Sequence, residues 1–241
     1  MDTEKPLSWK VALITGASRG IGRAIAQQLG RLGARLGLCA RTRERLEAVA
    51  AELRKDGVDA IAVPADLANP PEADRAVRQT NDALGEIDIL VNNAGVGVFR
   101  PAHEATEEDW DRVIDTNLKA VFLLSKAVAP QMIRRRRGDI VNIASLAGKN
   151  AFAGGAVYCA SKWGLLGFTQ CMAEDLRGYG IRVSVICPGS VATEFFHSPH
   201  VGKDTAKMLQ PQDVAHAVAM VLTAAPRSFL SEVLLRPTQK P

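Results

Sequence analysis

The 241 residues are enough for one α/β domain with a large core, and 47% hydrophobic and 23% charged residues exclude a disordered or fibrous chain. The chain begins without the apolar core of a signal peptide and has no run of about 18 apolar residues, so the sequence predicts a soluble, cytoplasmic protein. The small net charge of +4 and the four dispersed cysteines favour neither nucleic-acid binding nor a metal or disulfide site.

Seven short apolar runs alternate with segments of helical periodicity. The runs are residues 11–15, 35–40, 60–64, 87–92, 139–144, 182–187 and 233–235. This alternation predicts parallel strands joined by helical crossovers. The predicted fold class is α/β, a doubly wound (Rossmann) seven-stranded parallel sheet between helical layers, α/β/α, in a single domain of residues 1–241. Ligands of such sheets bind beyond the carboxyl ends of the strands, so the residues that follow each strand are the candidates for a site.

A glycine-rich segment, TGASRGIG, follows the first strand and precedes a helix predicted at residues 21–32. Glycines there permit a tight turn, close approach of backbone N–H groups to a pyrophosphate, and close helix packing. The spacing is GxxxGxG instead of the common GxGxxG, and a simple turn is the alternative interpretation. The order strand, glycines, helix favours dinucleotide binding, with the candidate residues Gly16, Ser18, Gly20, Ile21 and Gly22.

Arginines occupy the positions at which the type of nicotinamide cofactor is chosen. Arg19 stands at the start of the first helix, where the helix dipole disfavours a cation. The second strand ends at Ala40 and is followed by Arg41, with no acidic residue between positions 34 and 43 to hold an NAD ribose. A 2′-phosphate between Arg19 and Arg41 would satisfy both cations, so the sequence predicts NADP(H). Solvated arginines are the alternative, and that alternative is more credible for Arg43.

Polar and small residues follow the third and fourth strands. Asp66, followed by Leu67, is placed to accept a hydrogen bond from an adenine amino group, with helix capping as an equally weighted alternative. Asn93, Ala94 and Gly95 suit a wall against which a ribose or nicotinamide lies, although such a sequence is also a common turn.

Four arginines at positions 134–137 form the only dense basic run, and they end a long helix predicted at residues 116–136. Cations suit the negative end of the helix dipole, and Gly138 is predicted to stop the helix. No aromatic residue is interleaved with the arginines for stacking on bases. A solvated helix end is therefore favoured over a nucleic-acid-binding patch.

A hydroxyl, a phenol and an amine follow the fifth strand in the segment SLAGKNAFAGGAVYCASK. If Tyr158 lies in a helix, Lys162 lies one turn further along the same face. The ammonium is expected to lower the pKa of the phenol, and Ser145 is placed to donate a hydrogen bond to the oxygen that Tyr158 protonates. An ordinary pair on a helix surface is the alternative, since YxxxK alone is a weak signal. Together the three groups predict acid–base chemistry on a carbonyl.

Taken in order, TGASRGIG, NNAG, Asn117, Ser145, Tyr158 with Lys162, and PGSVAT resemble the short-chain dehydrogenase/reductase family over nearly the whole chain. The N-terminal motifs are similar to those of its 3-oxoacyl-carrier-protein reductases. The resemblance implies an NADP(H)-dependent oxidoreductase that transfers hydride between nicotinamide and a carbonyl or secondary alcohol. It implies that Tyr158 is the general acid or base, that Lys162 lowers its pKa and bonds the ribose, and that Ser145 orients the substrate.

By the same resemblance, Asn117 helps to position a water in a proton relay. The residues expected to flank the nicotinamide are Pro188, Gly189, Val191 and Thr193, with Thr193 holding the carboxamide. The resemblance also places a substrate lid at residues 194–209. The candidate substrate contacts are Asn150, Phe152, Phe195 and Phe196, with simple docking contacts as the alternative for the last two.

The substrate class implied is a small carbonyl compound or alcohol, such as a 3-oxoacyl thioester or another ketone. The C-terminal tail, SFLSEVLLRPTQKP, departs from the pattern of the 3-oxoacyl-carrier-protein reductases and weakens a role in fatty-acid synthesis. His197 and His200 have no acidic or cysteine partner for a metal site, so no metal is predicted.

Family members usually pair through two long helices, here residues 116–136 and 156–179, so the resemblance implies a homodimer or homotetramer. Both segments are apolar on more than one face, as helices buried against a sheet and a neighbour would be. A non-catalytic dinucleotide sensor or regulatory protein on the same fold is the alternative function, because a fold does not dictate an activity.

Overall fold

The computed structural model describes residues 5–195 and 204–239. Its seven strands are β1 Val11–Thr15, β2 Arg35–Ala40, β3 Ala60–Pro64, β4 Ile89–Asn92, β5 Gly138–Ile143, β6 Ile181–Pro188 and β7 Glu232–Leu235. They form one parallel sheet in the order β3-β2-β1-β4-β5-β6-β7. The predicted doubly wound sheet is confirmed, and every strand lies within two residues of its predicted bounds.

The helices are α1 Gly20–Arg31, α2 Arg43–Lys55, α3 Pro70–Leu84, α4 Glu107–Ile114, α5 Ala120–Arg135, α6 Ala156–Arg177 and α7 Pro211–Leu222. Helices α1, α2 and α7 pack on one face of the sheet, and α3, α5 and α6 pack on the other. The alternation of side chains along a strand divides β1 between the two cores: Ala12 and Ile14 face the first, and Val11 and Leu13 face the second. All five residues of β1 are buried, which explains why the strand is a continuous apolar run.

Strand order reverses at β1, which pairs with β2 on one side and with β4 on the other. The chain connections leave the carboxyl ends of these two strands in opposite directions, and a crevice opens between them. The segments that sequence analysis singled out after β1 and β4 therefore meet at one place.

The long helix predicted at residues 116–136 is divided in the structure. Helix α4 ends at Ile114, a single π-helical turn covers Asp115–Lys119, and α5 continues from Ala120 to Arg135. The prediction that Gly138 stops the helix was wrong. Arg136 ends it in a left-handed conformation with φ of +51°, and Gly138 begins β5.

The prediction of a solvated helix end at the four arginines was also wrong in part. Arg135 is largely buried, and its guanidinium donates to the carbonyl of Ile87 at 2.6 Å and to Asp88 Oδ1 at 3.0 Å. Arg134 pairs with Glu86 at 2.8 Å. These arginines tie the end of α5 to the residues before β4, so protein carboxylates neutralise much of the charge of the basic run.

Of the lid predicted at residues 194–209, positions 196–203 lie outside the described residues, and His197, His200 and Phe196 are among them. After this gap the chain forms a short 3₁₀ turn at Thr205–Lys207, and Leu209 pairs with Val191. Within the described part of the chain, no helix has both the length and the apolar character needed to cross a membrane.

Candidate active site

A cleft of about 820 Å³ lies at the carboxyl ends of the central strands. Most of the predicted site residues line it: Gly16, Ser18, Arg19, Gly20, Ile21, Arg41, Asp66, Leu67, Asn93, Ala94, Gly95, Ser145, Asn150, Phe152, Tyr158, Lys162, Pro188, Gly189, Val191, Thr193 and Phe195. Gly22 and Asn117 do not line the cleft, and Phe196 falls outside the described residues. The residues that sequence analysis selected from separate parts of the chain are therefore neighbours in space.

The glycine-rich turn after β1 requires its glycines for different reasons. Gly16 has φ of +65°, and a Cβ atom there would lie 2.8 Å from the Asn93 side chain. At Gly22 a Cβ atom would collide with the carbonyl oxygen of Gly16, so Gly22 allows α1 to pack against the turn and does not itself face a ligand. The first turn of α1 contains no acidic residue, so its backbone N–H groups are available to an anion.

Basic residues gather at the β2 side of the cleft. Arg19 and Arg41 both line it, as predicted, and Arg45 lies with them. Arg19 forms an ion pair of 2.8 Å with Glu194, so a carboxylate already occupies part of its guanidinium. Arg43 does not line the cleft, in agreement with its interpretation as a solvated residue. The three lining guanidinium groups give this part of the cleft the positive charge that a phosphate group requires.

Asp66 lines the cleft at the end of β3, and its carboxylate accepts a hydrogen bond from the backbone N–H of Ala68 at 3.2 Å. The residue that caps α3 is Asn69, so the alternative that Asp66 caps this helix was wrong.

Ser145, Tyr158 and Lys162 converge on the cleft from β5 and α6. Ser145 follows β5 directly, and its Oγ accepts a hydrogen bond from the backbone N–H of Ala147 at 3.1 Å. That bond uses an oxygen lone pair and leaves the hydroxyl hydrogen to be donated. Tyr158 and Lys162 lie one turn apart on α6, with Lys162 Nζ 5.8 Å from the centroid of the tyrosine ring. The ammonium donates to the carbonyl of Ile143 at 3.0 Å and is buried.

The protonation of this group differs from the sequence expectation. Burial raises the pKa of Tyr158 to about 12, and the neighbouring Ser145 hydroxyl opposes the rise by hydrogen bonding. Burial lowers the pKa of Lys162 to about 8. The expected lowering of the phenol pKa by Lys162 is absent, because desolvation dominates and the amine bonds a backbone carbonyl. Tyr158 is consequently a neutral phenol at neutral pH.

Asn117 lies in the π-helical turn between α4 and α5 and is buried. Its side-chain amide bonds both backbone groups of Val96, accepting from the N–H at 2.8 Å and donating to the carbonyl at 2.9 Å. It also donates to Ser161 Oγ at 3.0 Å. The amide therefore joins the loop after β4 to α6, between Tyr158 and Lys162.

A family model described as short chain dehydrogenase matches residues 10–217. The chain belongs to the short-chain dehydrogenase family. Curated relatives include a 3-oxoacyl-[acyl-carrier-protein] reductase of Synechocystis, 37% identical over 93% of this chain and 94% of its own length. Another, 3-oxoacyl-[acyl-carrier-protein] reductase FabG of Staphylococcus aureus, is 40% identical over 77% of this chain and 76% of its own.

Solved structures of the same family share the fold. A metagenomic short-chain oxidoreductase in complex with NADP has a TM-score of 0.86 and 47% identity, covering 98% of this chain and all of its own. An alcohol dehydrogenase from the archaeon Thermococcus sibiricus, complexed with 5-hydroxy-NADP, has a TM-score of 0.89 and 32% identity, covering 96% of this chain and 98% of its own.

Sequence analysis missed the residues that hold the strand ends of this dehydrogenase in place. Thr15 Oγ1 accepts hydrogen bonds from the backbone N–H groups of Asn93 and Ala94, each at 2.9 Å. The Asn93 side chain donates in turn to the carbonyl of Thr15 at 2.9 Å. A polar residue at the end of an otherwise apolar strand is the signal that marks Thr15. These bonds join β1 to β4 where the cleft opens.

A second group that sequence analysis missed is a buried polar chain behind the cleft of the dehydrogenase. Asn92 on β4 donates to Asn142 on β5 at 2.8 Å, and Asn142 donates to Thr169 on α6 at 2.9 Å. A buried amide destabilises the folded chain unless it is hydrogen-bonded. These bonds therefore help to fix the position of α6 on the sheet. Asn142 interrupts a strand that otherwise reads as apolar, and that interruption was the available signal.

Two further lining residues were missed because they belong to no family motif. Arg45 lies in the first turn of α2, four positions after Arg41. Phe99 lies in the loop after β4 with its ring 5.4 Å from that of Tyr158. Nothing in the local sequence pattern marks a single phenylalanine in a loop as a site residue.

Proposed function

We propose that this dehydrogenase transfers hydride between NADP(H) and a carbonyl compound or secondary alcohol, and that it reduces a ketone at neutral pH. The observation that carries the proposal is the convergence of Ser145, Tyr158 and Lys162 on a cleft whose other half is built for a dinucleotide. Reduction needs a protonated acid beside the carbonyl oxygen, and the raised pKa of Tyr158 keeps its phenol protonated. Oxidation of an alcohol would need the phenolate and is expected to require alkaline pH.

The residues present fit NADP(H). The backbone of the glycine-rich turn and the first turn of α1 would hold the pyrophosphate, and Arg19, Arg41 and Arg45 would hold the 2′-phosphate. Asp66, Asn93 and the segment from Pro188 to Thr193 line the remainder of that half of the cleft. The NADP bound to the metagenomic relative, at 47% identity, supports the same choice. The bound cofactor supplies the hydride.

The side chains of this chain have separate tasks in the proposed reduction. The Ser145 hydroxyl donates a hydrogen bond to the substrate oxygen, since its Oγ is already held by Ala147. The Tyr158 phenol gives its proton to that oxygen as the carbonyl carbon becomes tetrahedral. Lys162 lies one turn further along α6, and its ammonium would bond the nicotinamide ribose. Asn117 positions the loop after β4 and the turn of α6 that carries these groups.

The substrate is proposed to be a 3-oxoacyl thioester or another ketone. The two reductases from Synechocystis and Staphylococcus aureus support the first choice by their names. The alternative of a non-catalytic dinucleotide sensor has no need of a serine, a tyrosine and a lysine brought together beside the cofactor half of the cleft, so the catalytic proposal is favoured.

Replacement of Tyr158 tests the proposal. Consumption of NADPH would be followed at 340 nm with 3-oxoacyl thioesters, cyclic ketones, quinones and sugars. We expect Tyr158→Phe to lower kcat by about 10²- to 10⁴-fold, because the proton donor is lost while NADPH still binds. Tyr179→Phe is the matched control, since Tyr179 is the only other tyrosine and lies exposed beyond the end of α6. An active Tyr158→Phe enzyme would refute the assignment.

We also infer self-association, a single domain and a cytoplasmic location. Exposed aromatic side chains on α4, α5 and α6, namely Trp110, Phe122 and Trp163, support a homodimer or homotetramer formed through the long helices. The union of all seven strands in one sheet supports a single domain. The four free cysteines agree with a reducing compartment.

A further inference from the structure

The half of the cleft beyond Tyr158 is mainly apolar over the part that the structure describes. Its apolar walls are Val96, Phe99, Leu146, Ala151, Phe152 and Phe195, and Asn150 is a polar lining residue next to Ala151. Five charged lining residues, Arg19, Arg41, Arg45, Asp66 and Glu194, belong to the glycine turn, to the ends of β2 and β3, or to the ion pair with that turn. The sixth, Lys162, bonds the carbonyl of Ile143. A substrate body beyond Tyr158 would therefore meet apolar side chains among the described residues.

Two phenylalanine rings contact the ring of Tyr158, and a third, Phe152, contacts one of them. Phe99 meets the Tyr158 ring edge-on, with centroids 5.4 Å apart and planes at 65°, and Phe195 lies 5.8 Å from it. Phe99 is also 6.0 Å from Phe152 and 6.5 Å from Phe195. Among the described residues, Phe99 is thus the common member of the cluster and the phenylalanine ring nearest to the phenol of Tyr158.

Gly97 and Gly155 make room for these rings because neither has a side chain. A Cβ atom at Gly97 would lie 2.7 Å from the Phe99 ring and 3.0 Å from the Phe195 ring. A Cβ atom at Gly155 would lie 2.6 Å from the Phe152 ring. Neither glycine has a positive φ, so close approach of an aromatic ring, and not backbone strain, is what each position accommodates.

The rings also leave apolar surface uncovered. Phe99 is 40% exposed and Phe152 is 48% exposed, and both line the cleft. Exposed aromatic surface beside a catalytic group favours a ligand that can bury it. An aromatic ligand gains further stabilisation, since aromatic rings in edge-on or offset contact stabilise each other beyond the effect of the area they bury.

We infer that the enzyme selects a neutral ketone with an aromatic ring close to the carbonyl, and that Phe99 is the residue that selects it. This inference rests on the proposed ketone reduction and names its substrate class. The carbonyl lies at Ser145 and Tyr158, and the ring of the substrate lies against Phe99 and Phe152. An anionic substrate is disfavoured because the described walls of this half would desolvate its charge.

The test compares two ketones that differ only in the saturation of a ring. Benzyl methyl ketone and cyclohexylmethyl methyl ketone place the ring one methylene from the same carbonyl. For each ketone, kcat/KM of the variant is divided by kcat/KM of the wild type. This division removes the difference in intrinsic reactivity between the two ketones. We expect Phe99→Leu to lower the aromatic-to-saturated ratio by about three- to tenfold, the contribution of an aromatic pair. Phe229→Leu, an exposed phenylalanine that does not line the cleft, should leave the ratio unchanged.

A second variant tests the cluster without truncating it. Gly97→Ala introduces a methyl group 2.7 Å from the Phe99 ring and 3.0 Å from the Phe195 ring, so at least the Phe99 ring must shift, and we expect the same ratio to fall. NADPH titration of each variant by fluorescence should match the wild type, which separates a substrate effect from misfolding. An unchanged ratio in both variants overturns the inference. If the wild type then reduces a straight-chain 3-oxoacyl thioester efficiently, the proposed function stands without it, whereas a wild type that reduces no ketone removes both.

Discussion

Lys162 shows how burial controls the charge of a single residue in this dehydrogenase. The amine is 4% exposed and bonds the carbonyl of Ile143, and burial lowers its pKa from 10.5 to about 8. The charged form is therefore less stable in the folded chain than in the unfolded chain. Between pH 8 and 10.5 the unfolded chain keeps a proton that the folded chain has released. The free energy by which the buried ammonium destabilises the folded chain therefore diminishes as the pH rises.

The lowered pKa of Lys162 predicts that the unfolding free energy rises with pH. Relative to Lys162→Met, the wild type should gain about 2–3 kcal/mol of unfolding free energy between pH 7 and pH 10. Tyr158 does not interfere in that window, because its folded pKa of about 12 lies above the usual value of 10 and reduces stability only above pH 10. Urea unfolding of both proteins without cofactor at pH 7, 8, 9 and 10 measures the difference. A difference that does not change with pH would contradict a buried, destabilised ammonium.

The uncharged residue Ala40 ends β2 next to Arg41, and both residues line the cleft. The wild type should bind NADPH much more tightly than NADH, because only NADPH carries a 2′-phosphate for Arg19 and Arg41 to bind. Ala40→Asp should weaken NADPH binding by at least about tenfold through like-charge repulsion, and should favour NADH by accepting from its ribose hydroxyls. Fluorescence titration with both cofactors measures the preference, and Ala40→Ser is the uncharged control. Equal binding of both cofactors by the wild type would refute the phosphate argument.

At the scale of single residues, family motifs predicted the lining of the cleft but not the protonation of its groups. Tyr158 and Lys162 were placed correctly, yet the expected electrostatic lowering of the phenol pKa gave way to desolvation, which depends on the whole surrounding fold. Phe99 was missed for a related reason. Its position beside Tyr158 follows from the path of a loop, and the sequence carries no periodic signal for such a path.

At the scale of elements, the strands were predicted accurately because apolar residues dominate them and the central strands are buried on both faces. The π-helical turn between α4 and α5 was not predicted. A π-helical turn needs only one extra residue per turn, and residues 107–135 keep helical periodicity across it. Such turns occur often at functional sites, and this one places Asn117 against Val96.

The π-helical turn gives a prediction at this scale. Asn117→Ala removes three hydrogen bonds, two partly buried and one buried, and leaves the backbone N–H and carbonyl of Val96 without the amide that pairs them. We expect the unfolding free energy to fall by about 2–4 kcal/mol, since unsatisfied buried groups cost about 1–3 kcal/mol each. Asn150→Ala is the matched control, because Asn150 is exposed and makes one bond to the carbonyl of Leu146. Equal losses in urea unfolding for the two variants would contradict a joining role for Asn117.

At the scale of the molecule, the sheet order explains why distant segments form one cleft. Residues after β1, β4 and β5 meet because the strand order reverses at β1, and α6 is fixed on the sheet by the bonds from Asn92 through Asn142 to Thr169. The sheet order follows from the alternation of strands and helices with handed crossovers. The inward amides do not follow from that alternation, which is why the pattern predicted the fold but not the polar chain behind the site.

The outer surface of the long helices leads to the remaining prediction. Phe122 on α5 is 44% exposed, and Trp163 on α6 is 54% exposed, so apolar area lies uncovered on both helices that the family uses for pairing. A glutamate buried in such an interface would be an unpaired charge and would cost several kcal/mol, on the order of what holds a dimer together. The Phe122→Glu, Trp163→Glu double variant should therefore sediment at the mass of one chain, while the wild type sediments as a dimer or tetramer. Met220→Glu, at a 44% exposed position on α7, should keep the long-helix dimer. A monomeric wild type, or dissociation to monomers in the Met220 variant alone, would place self-association elsewhere or remove it.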